Sequence, residues 1–94
     1  MSGRLQDKVA IVTGGGTGIG EAICHKFASE GAKVLVNGLP DDPIDDVADS
    51  IVEEGGDAVA FAADVSDEAQ ARRCVYTAAE RFGRLDILIN NAGV

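Results

Sequence analysis

Apolar residues along this chain follow two alternating rhythms. Four short continuous runs, Lys8–Val12, Lys33–Asn37, Ala58–Ala62 and Leu85–Ile89, are rich in aliphatic side chains. Such runs are expected of strands buried on both faces of a parallel sheet. Between them, apolar positions recur every three or four residues, the period of a helix with one buried face. Ile19, Ala22, Ile23 and Phe27 share one helical face, and Gly31 follows as a C-terminal cap. Ile44, Val47, Ala48, Ile51 and Val52 define a second helix. Asp42 is placed to cap it, Pro43 suits its first position, Asp45 favours its positive end, and Gly55-Gly56 stops it. Ser66, Asp67 and Glu68 open a third helix, with Ala71, Val75, Ala78, Ala79 and Phe82 directed at the core and Gly83 at its end. The order βαβαβαβ implies parallel pairing through right-handed crossovers, hence a doubly wound α/β sheet.

Composition narrows the function classes. The chain has 94 residues, 46% of them hydrophobic, so one small domain at most with a packed core is expected. A net charge of -8 opposes binding to nucleic acid or an anionic membrane surface. No apolar stretch approaches the ~20 residues that span a bilayer, and residues 1–8 lack the apolar region of a signal peptide. A soluble, cytoplasmic protein is the expectation. Cys24 and Cys74 are too few for a disulfide scaffold or a four-thiolate metal site. Cys24 and the only histidine, His25, point about 100° apart on a helix, so a structural role is expected for all three residues and no metal site.

The candidate chemistry begins at "VTGGGTGIG", Val12 to Gly20, between the first strand and the first helix. A helix N-terminus presents unpaired amides and a positive dipole to a phosphate, and glycine lets the phosphate approach the backbone. The spacing is neither G-x-G-x-x-G nor a Walker loop, which would end in Gly-Lys-Ser/Thr. It is Thr13-Gly14-x-x-x-Gly18-Ile19-Gly20.

That stretch resembles the T-G-x-x-x-G-I-G signature of the short-chain dehydrogenase/reductase family. Asp64-Val65 after the third strand, and Asn90-Asn91-Ala92-Gly93 after the fourth, match further segments of that family. So does the approach "RFGRLDILINNAG", Arg81 to Gly93. Each match lies at the carboxyl end of an expected strand, the edge where such sheets bind ligands. The resemblance implies a Rossmann-type dinucleotide-binding domain, of which residues 1–94 form the N-terminal part. It implies that Gly14, Thr17, Gly18, Ile19 and Gly20 cradle the pyrophosphate and adjoining ribose. Asp64 and Val65 would contact adenine, and Asn90, Ala92 and Gly93 would line the adenosine ribose. The plainer alternative for Asn90 and Asn91 is that they end a strand and bond neighbouring backbone.

The choice between NAD and NADP is decided in this family near the end of the second strand. There an acidic residue accepts from the ribose 2′-hydroxyl, or an arginine accommodates a 2′-phosphate. Gly38 stands where an NAD-type member carries Asp, Leu39 where an NADP-type member often carries Arg, and Thr17 replaces the basic residue of many NADP members. Asp41 and Asp42 lie close by, and no Lys or Arg falls between Asn37 and Arg72. Negative charge there opposes a 2′-phosphate, so NAD(H) is expected over NADP(H). Helix capping and first-turn charge are the competing roles for both aspartates.

The family's reaction needs a tyrosine general acid/base, a lysine four residues later that lowers its pKa, and a preceding serine. The only tyrosine, Tyr76, is followed four positions on by Glu80, which would raise a phenol pKa. No residue of this chain is expected to be catalytic, and Tyr76 is expected to be structural. The resemblance also implies a seven-stranded sheet in the order 3-2-1-4-5-6-7. Residues 1–94 supply 3-2-1-4, an incomplete sheet whose fourth strand is an open apolar edge. A following segment or another chain is expected to complete it, with a homo-oligomer as the assembled form. The 94 residues alone are expected to be marginally stable or to self-associate. Two readings stand: the cofactor-binding portion of an oxidoreductase that moves hydride between a nicotinamide cofactor and an alcohol or carbonyl, or a truncated, non-catalytic nucleotide-binding or assembly module.

Overall fold

A computed structural model describes residues 4–16 and 18–91. Seven elements follow one another: β1 (Val9–Thr13), α1 (Gly18–Ser29), β2 (Lys33–Gly38), α2 (Ile44–Glu53), β3 (Asp57–Ala62), α3 (Glu68–Phe82) and β4 (Ile87–Asn90). The strands form one sheet in the order β3-β2-β1-β4. All pairings are parallel, with Ala10 opposite Val34 and Ile87, and Leu35 opposite Val59. The alternation of strands and helices had implied this doubly wound topology.

Two clusters hold the layers together. On one face, Val12, Val34 and Val36 pack against Cys24 of α1 and Ile44, Val47, Ala48 and Ile51 of α2. On the other, Val9, Ile11 and Leu35 pack against Cys74 and Ala78 of α3, with Phe82 and Leu85 at the margin. Because both faces of β1 and β2 are covered, their apolar runs need no polar alternation. Burial pushes the Cys24 thiol up to about 12, helped by the charge of Glu21, and the Cys74 thiol up to about 11. Both are free cysteines with the character of small core residues.

Several local expectations are corrected. Asp42 does not cap α2: Pro43 takes the cap position with no side-chain hydrogen bond, and the Asp42 carboxylate accepts instead from the Leu39 N–H at 2.9 Å. A tight turn back toward β2 satisfies this aspartate before the helix begins. In α3 the cap is Asp67, whose Oδ1 accepts from the Ala69 and Gln70 amides at 2.9 and 3.2 Å. The buried stripe of α3 runs through Cys74 and Ala78, so Val75, about 100° further round, is 40% exposed. In α1 the stripe passes through Gly20 and Cys24, leaving Ala22 exposed and Ile19 74% exposed.

The start of β4 is fixed by a carboxylate. Asp86 Oδ2 accepts from the Val9 N–H at 2.9 Å, and the Asp86 N–H donates to the Val9 carbonyl at 3.0 Å. The Arg84 guanidinium at 2.8 Å, with that Val9 amide, holds the Asp86 carboxyl below the usual carboxylate range. Residues 85–86 thus anchor the strand rather than belong to it.

Candidate cofactor site

In a parallel sheet all strands point the same way, so the loops leaving their carboxyl ends gather along one edge. Here those loops meet at a cleft of about 410 Å³. Gly14 enters it from β1, Asn37, Gly38, Leu39 and Asp42 from β2 and its turn, Ala63 to Ser66 from β3, and Asn90 from β4. Four of the expected site residues, Gly14, Asp64, Val65 and Asn90, therefore share one cavity although they are spread over most of the chain. Gly18, Ile19 and Gly20 form the first turn of α1 rather than the cleft wall. Thr17, Ala92 and Gly93 lie outside the described residues.

The glycine loop is built for close backbone approach. A Cβ on Gly20 would collide with the Gly14 carbonyl oxygen and reach within 2.8 Å of Asn91 Nδ2. Only hydrogen fits there. Gly18 has φ +57°, with open space where a Cβ would be, so it is the backbone conformation that calls for glycine. The loop is tied down by the Gly15 N–H, which donates to the Asn37 carbonyl at 2.8 Å. Cys24 Sγ, 3.9 Å from the Gly15 carbonyl, packs beneath it.

Polar side chains then brace the neighbouring strand ends. Asn37 is buried, and its Nδ2 donates to the Phe61 and Ala63 carbonyls at 3.0 and 3.2 Å, stitching β2 to the exit of β3. Thr13 Oγ1 accepts from the Asn91 N–H at 2.9 Å, while Asn91 Nδ2 donates to the Gly14 carbonyl at 3.2 Å. Asn91 thus bonds neighbouring backbone, whereas Asn90 lines the cleft. Asp64 Oδ1 accepts from the Ser66 hydroxyl at 2.6 Å and the Ser66 N–H at 3.0 Å. These two donors hold its carboxyl below the usual range, so it is charged at neutral pH. The Asp64 N–H in turn donates to Gln70 Oε1 at 2.8 Å.

Asn37 and Ser66 were not anticipated as part of this site, whereas Leu39 and Asp42 had been weighed only for the choice of cofactor. Asn37 carried one available signal, an amide at the end of an otherwise aliphatic strand. Among the described residues no group of three or more side chains is arranged to hold a metal ion. His25 lies 3.4 Å from Glu54 across α1 and the end of α2, away from the cleft. Nor, among them, is any helix long and apolar enough to cross a membrane.

Comparison with known proteins gives a concordant result. The sequence profile of the short chain dehydrogenases matches residues 8–94. An uncharacterised oxidoreductase of Methylorubrum extorquens is 48% identical over 92 residues, which is 97% of this chain and 37% of that protein. Elsinochrome reductase 1 of Elsinoe fawcettii is 47% identical, over 97% of this chain and 34% of its own length. A short chain dehydrogenase from Mycobacterium avium superposes with a TM-score of 0.93 at 43% identity, covering 98% of this chain and 35% of that one. A hydroxysteroid dehydrogenase from Escherichia coli gives 0.92 at 41% identity, covering 97% and 39%. The chain therefore spans little more than a third of the length of these relatives. With its parallel 3-2-1-4 sheet and glycine loop, it belongs to the short chain dehydrogenase family, whose cofactors are NAD or NADP.

Proposed function

We propose that this chain is the adenosine-binding portion of an NAD(H)-dependent oxidoreductase. The observation that carries the reading is the convergence of Gly14, Gly38, Asp64 and Asn90, from the ends of all four strands, on one cleft beside the N-terminus of α1. In this reading Gly14, Gly18, Ile19 and Gly20 receive the pyrophosphate, Asp64 and Val65 hold adenine, and Asn90 lines the ribose. The fit is supported by the glycine contacts, since any side chain at Gly20 would close the approach. The preference for NAD(H) is supported by the charge around the cleft, where Asp42 and Asp64 stand without a facing Lys or Arg among the lining residues.

The bound cofactor supplies hydride transfer to or from an alcohol or carbonyl group. This chain's residues bind and orient its adenosine half, and the acid/base residues come from the rest of the protein. The protein acts in the cytoplasm, as a homo-oligomer. Titration of the full-length protein with NAD+ and NADP+ tests the reading: tighter NAD+ binding is expected, and tighter NADP+ binding overturns the preference.

The exposed edge of β4 favours a second reading for this surface, in which assembly is its role. Leu88 is 56% exposed beside Val75, and an added strand from a following segment or another chain would cover it. A 94-residue chain that stays monomeric at high concentration argues against that role.

A further inference from the structure

We infer that Asp42, not a residue of β2 itself, is the group that reads the adenosine ribose and sets the choice of cofactor. The inference rests on the proposed dinucleotide site and goes further by naming the discriminating residue. The end of β2 has no side chain to offer, because it is Gly38. The space is not empty. A Cβ built on Gly38 would lie 3.0 Å from Asp42 Oδ2 and 2.6 Å from Ile44 Cγ2. The Asp42 carboxylate therefore occupies the place that a side chain at the strand end would fill.

Three features hold it there. The Leu39 N–H donates to Asp42 Oδ2 at 2.9 Å, and the Asp42 N–H donates back to the Leu39 carbonyl at 2.9 Å. Ile44, buried at the start of α2, packs behind the turn. The capping role that would have turned this carboxylate toward α2 is absent, since that helix has no side-chain cap. Among the described residues the Leu39 N–H is the only donor to the Asp42 carboxylate, the Ile44 N–H donating instead to the Asp42 backbone carbonyl at 2.8 Å, and Asp42 lines the cleft with Gly14 and Gly38. A carboxylate so placed accepts from a vicinal diol and repels a phosphate ester on the same carbon. Its neighbour Asp41 is exposed and lines no part of the cleft.

The test uses the full-length protein, with dissociation constants for NAD+, NADP+ and the 2′-deoxyadenosine analogue of NAD+. Wild type is expected to bind NAD+ more tightly than both others. Asp42→Asn keeps an acceptor for Leu39 N–H and removes the charge. It should narrow the NAD+/NADP+ ratio by about tenfold, the scale of a charge-assisted bond. It should also shrink the penalty for the deoxy analogue, because a neutral amide oxygen accepts more weakly than a carboxylate, which a merely structural turn residue would not do. Asp41→Asn should change neither, and Asp42→Ser replaces Asp42→Asn if that variant misfolds. A ratio unchanged in the Asp42 variant, with NAD+ still bound, overturns the inference and leaves the cofactor site standing. An equal shift in Asp41→Asn also overturns it, because general charge would then suffice. Failure of wild type to bind any of the three nucleotides overturns both the inference and the site.

Discussion

β1 and β4 lie side by side in register, Ile11 against Leu88 and Val12 against Ile89, and have similar aliphatic composition. Their surroundings differ sharply. Every residue of β1 is buried, whereas β4 alternates between half-buried and exposed. β1 has strands on both sides and helices on both faces; among the described residues β4 has a neighbour on one side, and α3 covers β1 more than it covers β4. An aliphatic run thus states what a strand is made to be surrounded by, and here only β1 and β2 have those surroundings. The same contrast separates the two ends of the sheet, since the carboxyl end carries the glycine loop and the braced asparagines.

Substitutions can break this comparison. Leu35→Ala, at a fully buried position in β2, should destabilise the chain by about 2–5 kcal/mol in denaturant unfolding. Leu88→Ala, 56% exposed, should stay within about 0.5 kcal/mol in the 94-residue chain. In a longer protein whose next strand pairs with β4, Leu88→Ala should approach the cost of Leu35→Ala. Equal costs in the short chain would refute the contrast.

Gly20→Ala places a methyl group against the Gly14 carbonyl. It should cost about 1–3 kcal/mol of stability and abolish nucleotide binding, read by calorimetric titration. Leu88→Lys should reduce self-association of the 94-residue chain in sedimentation without lowering its stability, because a charge on an open edge disfavours strand pairing.

Asp64 and Asp86 both have lowered carboxyl pKa values in the folded chain. Stability from a depressed carboxylate is present above its unfolded pKa, near 3.9, and is lost as pH falls through the folded value. Unfolding midpoints should therefore drop on acidification below about pH 4. Asp86→Asn should flatten that drop, and an unchanged pH profile would remove Asp86 from the account of the β4 anchor. The smallest effect is expected at Tyr76→Phe: with the ring 67% exposed, stability should change by less than about 0.5 kcal/mol.

The alternation of strands and helices and the glycine loop were legible because periodicity and local spacing specify them, whereas the 3-2-1-4 order followed from the family resemblance, since local periodicity does not say which strands pair. Asp42 was misread because a carboxylate before a helix has two local acceptor geometries, and only the turn at Leu39 selects between them. Val75 was misread because two adjacent apolar positions on α3 compete for one buried stripe, and Cys74 wins where the helix crosses Val9 and Ile11. Asn37 and Ser66 escaped because their importance comes from packing: Asn37 braces Phe61 and Ala63, 24 and 26 positions away, and Ser66 gains meaning only through the charge it fixes on Asp64.

The central claim is that adenine nucleotide binds at the carboxyl ends of the strands. Amide chemical-shift mapping of the full-length protein with NAD+ tests it most directly. Shifts are expected at Gly14, Gly18, Gly38, Asp64 and Asn90, around the cleft. Shifts concentrated instead at Gln6, Gly31 and Gly55, which line a polar hollow at the opposite end, would contradict it, as would no shifts at all.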